Sequence, residues 1–202
     1  MRTIFLSILT LIVSSCAFAQ NTTLPPIKSE VWRPWVILEG GLVWGSYETN
    51  GDVRLQSGIS KEGWKFGAGI GHDSYRYSSL PIYLQARKIF VSGKKRPFVL
   101  ASAGYNFATE PDFSPDWWFD PRGGITPVYK YGSGYYAELG GGLAFRENKK
   151  WGYTLSFSYI RKTMSEEYNT TIWNGTGLEN EVINNLYRMN RFSIRLGIRI
   201  GR

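Results

Sequence analysis

Residues 151–159 read Trp151-Gly152-Tyr153-Thr154-Leu155-Ser156-Phe157-Ser158-Tyr159. Every second side chain is large and apolar, and the residues between are glycine, serine or threonine. In a strand, whose successive side chains point to opposite faces, this puts Trp151, Tyr153, Leu155, Phe157 and Tyr159 on one side and small groups on the other. A soluble barrel buries the aromatic face and turns the small residues to water. A membrane barrel does the reverse, with aromatics to lipid and small polar groups to the lumen. The same alternation recurs over 64–71, where Trp64, Phe66, Ala68 and Ile70 alternate with Lys65, Gly67, Gly69 and Gly71. It returns over 192–200, where Phe192, Ile194, Leu196, Ile198 and Ile200 alternate with Ser193, Arg195, Gly197 and Arg199. Glycine weakens an exposed strand, but on a concave inner wall it makes room for neighbouring long side chains. Here the glycines lie on the polar face, which favours the membrane barrel over a soluble lipocalin-like one.

Working outward, eight segments carry strand patterning: 35–46, 53–59, 63–73, 80–90, 97–107, 134–145, 151–164 and 187–200. The segment 53–59 is included because it makes the number even, as a single-chain bacterial barrel with both termini on one side requires. Short charged turns, SKEG from Ser60, SGKKR from Ser92 and RENKK from Arg146, then fall on one side and longer polar loops on the other. Trp64, Phe90, Phe145 and Trp151 lie near the short turns, and Trp44, Phe107, Tyr135 and Tyr159 near the loops, as two interfacial girdles would. The expected fold is all-β: an eight-stranded antiparallel up-and-down transmembrane β-barrel.

The N-terminus agrees with an exported protein. Arg2, an apolar stretch from residue 4 to 13 and Ala17-Phe18-Ala19 form the three parts of a secretory signal, with cleavage expected after Ala19. Cys16 follows Val13-Ser14-Ser15, which loosely resembles a lipidation box, but the downstream A-x-A site fits better. Cleavage there leaves 183 residues without cysteine, removing disulfides and thiolate chemistry. Residues 20–34 are expected to be a periplasmic lead-in and 35–202 the barrel. The mature chain would keep 23 Lys+Arg against 16 Asp+Glu, a net charge of +7. The positives are spread over turns and alternate strand positions rather than clustered in a stripe, so no nucleic-acid partner is expected. No apolar run reaches the roughly 18 residues of a membrane-spanning helix. Any crossing of a membrane must then be made by strands.

The stretches GWKFGAGIGHDSY from Gly63, LPIYLQARKIF from Leu80, PFVLASAGYNF from Pro97 and FSIRLGIRIG from Phe192 resemble the small outer-membrane β-barrel proteins common in Bacteroidota. The resemblance covers most of the mature chain and its motifs concern the barrel. It implies a location in the cell outer membrane, contact with outer-membrane lipid and insertion by the barrel-assembly machinery. One departure is that such chains often end in an aromatic residue, whereas this one ends Ile200-Gly201-Arg202.

Three groups of residues are candidates for function. Glu39, Arg54, Lys65, Arg87, Glu138, Arg195 and Arg199 fall on the inner face of a barrel so narrow that side chains fill it. Adjacency of the first and last strands places Glu39 within reach of Arg195 or Arg199. The group reads as a structural ion-pair network or, because positives outnumber carboxylates, as a narrow anion-favouring path. His72 and Ser74 both face outward at the loop end of the third strand. In these residues alone they resemble the serine–histidine arrangement of outer-membrane lipid A deacylases, but Asp73 alternates to the other face and leaves no orienting carboxylate. The 109–131 connection combines Glu110, Asp112, Asp116 and Asp120 with Trp117, Trp118 and Phe119 and four prolines. Proline limits the ordering cost of binding there, which suits an extracellular ligand or protein or, alternatively, a loop folded over the barrel mouth. The polar 165–186 segment reads as solvated turns. No phosphate loop, zinc spacing or paired catalytic carboxylate occurs, and no cofactor or metal is expected. The expected role is non-enzymatic and structural or surface-interacting. The alternatives are a narrow solute or ion channel and a lipid A-modifying hydrolase using His72 and Ser74.

Overall fold

A computed structural model describes residues 31–45, 49–74, 78–90, 95–109, 129–146, 150–173 and 177–201. Its strands are β1 (Arg33–Trp44), β2 (Thr49–Lys61), β3 (Trp64–Asp73), β4 (Ser79–Ile89), β5 (Lys95–Ala108), β6 (Tyr129–Gly132), β7 (Gly134–Phe145), β8 (Trp151–Trp173) and β9 (Leu178–Gly201). All pairings are antiparallel, and β9 pairs both β8 and β1, which closes eight strands into a barrel. The four-residue β6 pairs only β8, above the point where β7 ends.

Register fixes the geometry of the closure. Following Ile37 from neighbour to neighbour through Gln56, Gly69, Tyr83, Gly104, Tyr136 and Lys162 leads to Met189, while Ile37 itself faces Arg199. The ten-residue stagger from Met189 to Arg199 is the shear of the barrel, and with eight strands it tilts them by about 35–45°. The β2–β3 connection is the tightest hairpin among the described residues: Glu62 and Gly63 both have positive φ, 51° and 79°, as a two-residue type I′ hairpin turn requires. Ile89 N–H donates to the Gly63 carbonyl and Lys88 Nζ to the Glu62 carbonyl, tying that turn to β4.

Burial is inside-out for a protein in water. Leu84, Leu139 and Leu196 are 72%, 65% and 68% exposed on the outer wall, whereas Arg54, Arg87, Arg191, Arg195 and Arg199 are among the largest fully buried side chains. Soluble monomers rarely expose a contiguous apolar surface beyond a few hundred Å². Here the outer wall is apolar around its circumference, and only a hydrocarbon surround makes that favourable. The described residues contain no helix long and apolar enough to cross a membrane. The inward and outward faces read from the sequence over 64–71, 151–159 and 192–200 are those observed.

Four sequence expectations are corrected. The 165–186 segment is not a set of turns: β8 and β9 run on together as a two-stranded ribbon from Met164↔Tyr187 to Trp173↔Leu178, beyond the barrel rim. Backbone ladder bonds need no apolar face, so a polar composition does not forbid the ribbon. The 109–131 connection likewise ends as β6, where Tyr129–Gly132 pairs with Ser165, Glu166, Glu167 and Tyr168. The second strand, expected over 53–59, is thirteen residues long because its polar start at Thr49 pairs with Trp44. The connections opposite the short turns are therefore not uniformly longer. Residues 45–48 and 74–78 are brief, and the asymmetry comes from the 109–128 connection and the ribbon. The signal segment with Cys16, and most of the lead-in, lie outside the described residues.

Candidate functional site: lumen and outer rim

Every inner-face residue expected from the sequence, Glu39, Arg54, Lys65, Arg87, Glu138, Arg195 and Arg199, is buried in the lumen. Glu39 on β1 accepts hydrogen bonds from Gln56 Nε2 at 2.9 Å, Arg87 Nη2 at 3.0 Å and Thr154 Oγ1 at 3.4 Å. Arg195 Nε approaches its other side at 3.7 Å, so Glu39 does meet the last strand as expected. Arg199 Nη1 donates to the Gly201 carbonyl, and Lys65 Nζ sits 5.8 Å above the Trp35 ring.

The network is wider than sequence parity alone revealed. Arg54 forks onto Asp52, with Nε 3.0 Å from Oδ1 and Nη2 2.9 Å from Oδ2, and its Nη1 donates to Glu138 Oε2 at 2.6 Å. Arg195 donates to the other Glu138 oxygen, to Ser158 Oγ at 2.8 Å and to Asp52 Oδ2 at 3.2 Å. Tyr136 completes the Glu138 carboxylate with a 2.7 Å bond and, stacked with Tyr83, lies beneath the Arg54 guanidinium. A second cluster centres on Asp73, which takes both Nη groups of Arg191 at 2.9 Å and Lys162 Nζ at 2.8 Å. Lys162 Nζ also donates to Ser79 Oγ at 2.6 Å. Asp52, Asp73, Tyr136, Lys162 and Arg191 were not among the expected lumen charges. Strand parity places Asp73, Tyr136, Lys162 and Arg191 inward, Asp52 falls just before the strand expected over 53–59, and the partners of all five depend on the shear.

Two of these pairs span the barrel. In the closed order β1-β2-β3-β4-β5-β7-β8-β9, three strands separate β2 from β7 on either side, and likewise β3 from β8. Arg54–Glu138 and Lys162–Asp73 therefore each join opposite walls. Apolar groups complete the filling, with Ile89, Phe98, Leu100 and Ala144 near the short-turn end and Val43, Ile160, Met164 and Met189 packed with the tyrosine pair. Glycine makes room for this: a Cβ at Gly69 would lie 2.5 Å from the Tyr83 ring, so Tyr83 could not keep its place over it.

No family model and no curated protein sequence matches the chain. Among solved structures it is similar to Neisserial surface protein A, NspA, at 12% identity and a TM-score of 0.53, over 84% of this chain and 96% of that one. It is also similar to the outer membrane protein OprG from Pseudomonas aeruginosa at 11% identity and a TM-score of 0.51, over 83% of this chain and 95% of that one. The fold is that of the small outer-membrane β-barrels.

In this barrel His72 and Ser74 are exposed on the outer side of β3, as their parity required. Asp73 between them is turned inward and held by Lys162 and Arg191, so it does not orient His72. The Ser74 carbonyl accepts a 3.4 Å bond from Asn50 Nδ2. Glu110, Asp112, Asp116, Trp117, Trp118, Phe119 and Asp120 lie outside the described residues. Among the described residues no group of three or more His, Cys, Asp or Glu side chains is arranged to hold a metal.

Proposed function

We propose that this chain is a non-enzymatic resident of the outer membrane whose barrel is a filled, ion-paired scaffold and whose interactions are made on its outer side. The 109–131 connection and the β8–β9 ribbon would present the contact surface. The reading rests chiefly on the Arg54–Glu138 and Lys162–Asp73 pairs, which cross the lumen between opposite walls. Small barrels hold an interior only wide enough for side chains, and desolvated ion pairs with several hydrogen bonds each resist displacement by a passing solute. Insertion would use the barrel-assembly machinery and place the strands against outer-membrane lipid. The narrower kinship with Bacteroidota barrels is part of the proposal and rests on the sequence motifs alone.

The channel alternative draws on the excess of buried cations: Arg54, Lys65, Arg87, Arg96, Lys162, Arg191, Arg195 and Arg199 against Glu39, Asp52, Asp73, Glu138 and Glu166 among the described residues. Planar-bilayer recording separates the two. The purified protein is expected to give no resolved conductance steps, while regular anion-selective steps would overturn the filled-scaffold reading. The hydrolase alternative draws no support from Asp73, whose carboxylate is engaged inside the lumen.

A further inference from the structure

The outward apolar run of β8 ends at Tyr159 and that of β9 at Phe192, whose rings meet edge-on at 5.5 Å, with Trp44 stacked on Phe192 at 6.3 Å. The next outward positions are Arg161 on β8 and Asn190 on β9, directly paired, followed on β9 by Arg188, whose direct partner Thr163 is buried and accepts a bond from Tyr135 N–H. Arg161 and Arg188 are thus diagonal neighbours on one face, and such neighbours have Cβ atoms about 7–8 Å apart. Both side chains are exposed, and neither has an ion-pair or hydrogen-bond partner among the described residues.

This concentration is local. Among the described residues, those facing outward beyond the apolar belt elsewhere on the rim are Thr49 and Gly51 on β2, His72 and Ser74 at β3, Ser78 before β4, Thr109 after β5 and Ser133 before β7. None of these is an arginine, lysine or carboxylate. Further out on β8, Glu167 faces Lys130 of β6, so that site is balanced in charge. Among the described residues, the β8–β9 seam is where two uncompensated guanidinium groups stand at the polar edge of an aromatic girdle.

We infer that Arg161 and Arg188 form a clamp for the phosphate of an outer-leaflet glycolipid headgroup, its acyl chains lying against Tyr159, Phe192 and Trp44. Guanidinium is suited to this because its planar fork takes two phosphate oxygens at once, and two such forks one diagonal apart can close on one group. The aromatic girdle fixes the depth of the membrane at that point, so the arginines lie at headgroup level rather than in water. Asn190, between them on the same face, supplies an amide to the sugar. The inference rests on the outer-membrane reading given above.

The test is a lipid titration. The intact protein is placed in phosphatidylcholine nanodiscs with increasing diphosphoryl lipid A, and bound lipid A is counted by native mass spectrometry. Each surface Lys or Arg contributes modestly to attraction of anionic lipid, so the double substitution Arg161→Gln with Arg188→Gln is expected to weaken retention about thirtyfold. Lys88→Gln removes an outward cation at the opposite rim, where Nζ lies 4.8 Å above Trp64, and is expected to leave retention unchanged. Dephosphorylated lipid A is expected to be lost from the wild-type protein. Equal retention by the double variant, an equal loss in Lys88→Gln, or displacement by millimolar inorganic phosphate would each overturn the clamp. Heat-modified gel mobility and outer-membrane fractionation of the same variant separate the two readings. A correctly inserted barrel with no lipid A preference sinks the clamp alone, whereas a chain that never inserts sinks the outer-membrane reading.

Discussion

Glu138→Gln is expected to lower the unfolding free energy of the barrel in lipid vesicles by about 3–5 kcal/mol, read from urea unfolding followed by gel mobility. The carboxylate is fully buried and takes bonds from Arg54, Arg195 and Tyr136. Removing its charge leaves two buried guanidinium groups to share Asp52 and Glu39 on one side of the lumen. The cost comes from stranding these cations rather than from losing an attractive pair, since breaking a buried pair on one side exceeds the pair's net worth. Replacing Arg54 and Glu138 together by apolar residues of similar volume should therefore restore much of the loss. A change below about 0.5 kcal/mol for Glu138→Gln would mean that water reaches the network and screens it.

Leu196→Arg is expected to cost about 2–4 kcal/mol in a bilayer, because it places a charge on the lipid-facing wall near the midplane. Leu196 is outward and faces Leu155 on β8 and Gly40 on β1, within the band bounded by the two girdles. In a protein surrounded by water the same change at a 68% exposed position would be nearly neutral. The sign and size of this single effect separate a membrane wall from a solvated one. The counterpart substitution Ser156→Ala, on the inner side of the neighbouring strand β8, should leave lipid contact untouched.

The barrel itself was legible because its two faces differ in kind at every step. Trp151, Tyr153, Leu155, Phe157 and Tyr159 against Gly152, Thr154, Ser156 and Ser158 determine orientation with no knowledge of neighbours. The short charged turn Lys61-Glu62-Gly63 was equally plain, and its positive φ values follow from a two-residue hairpin. Partners across the lumen were not legible. Parity places Asp73 and Lys162 inward, but that they meet depends on a ten-residue shear that no local pattern encodes. The ribbon was missed for a different reason. Its polar composition resembled solvated turns, although the β-branched Thr170-Thr171-Ile172 and Val182-Ile183 flank Asn174-Gly175, a hairpin signal in its own right.

Site-directed spin labelling along β8 tests the central claim most directly. With Cys16 replaced by serine, single cysteines at positions 151 to 162 are labelled in the bilayer-reconstituted protein, and access to oxygen and to a water-soluble nickel reagent is compared. Labels at 151, 153, 155, 157 and 159 are expected to be oxygen-accessible and nickel-protected, deepest at 155, with labels at 152, 154, 156 and 158 packed in the lumen. Nickel access at the odd positions, or no alternation of period two, would contradict a lipid-facing wall around a filled interior.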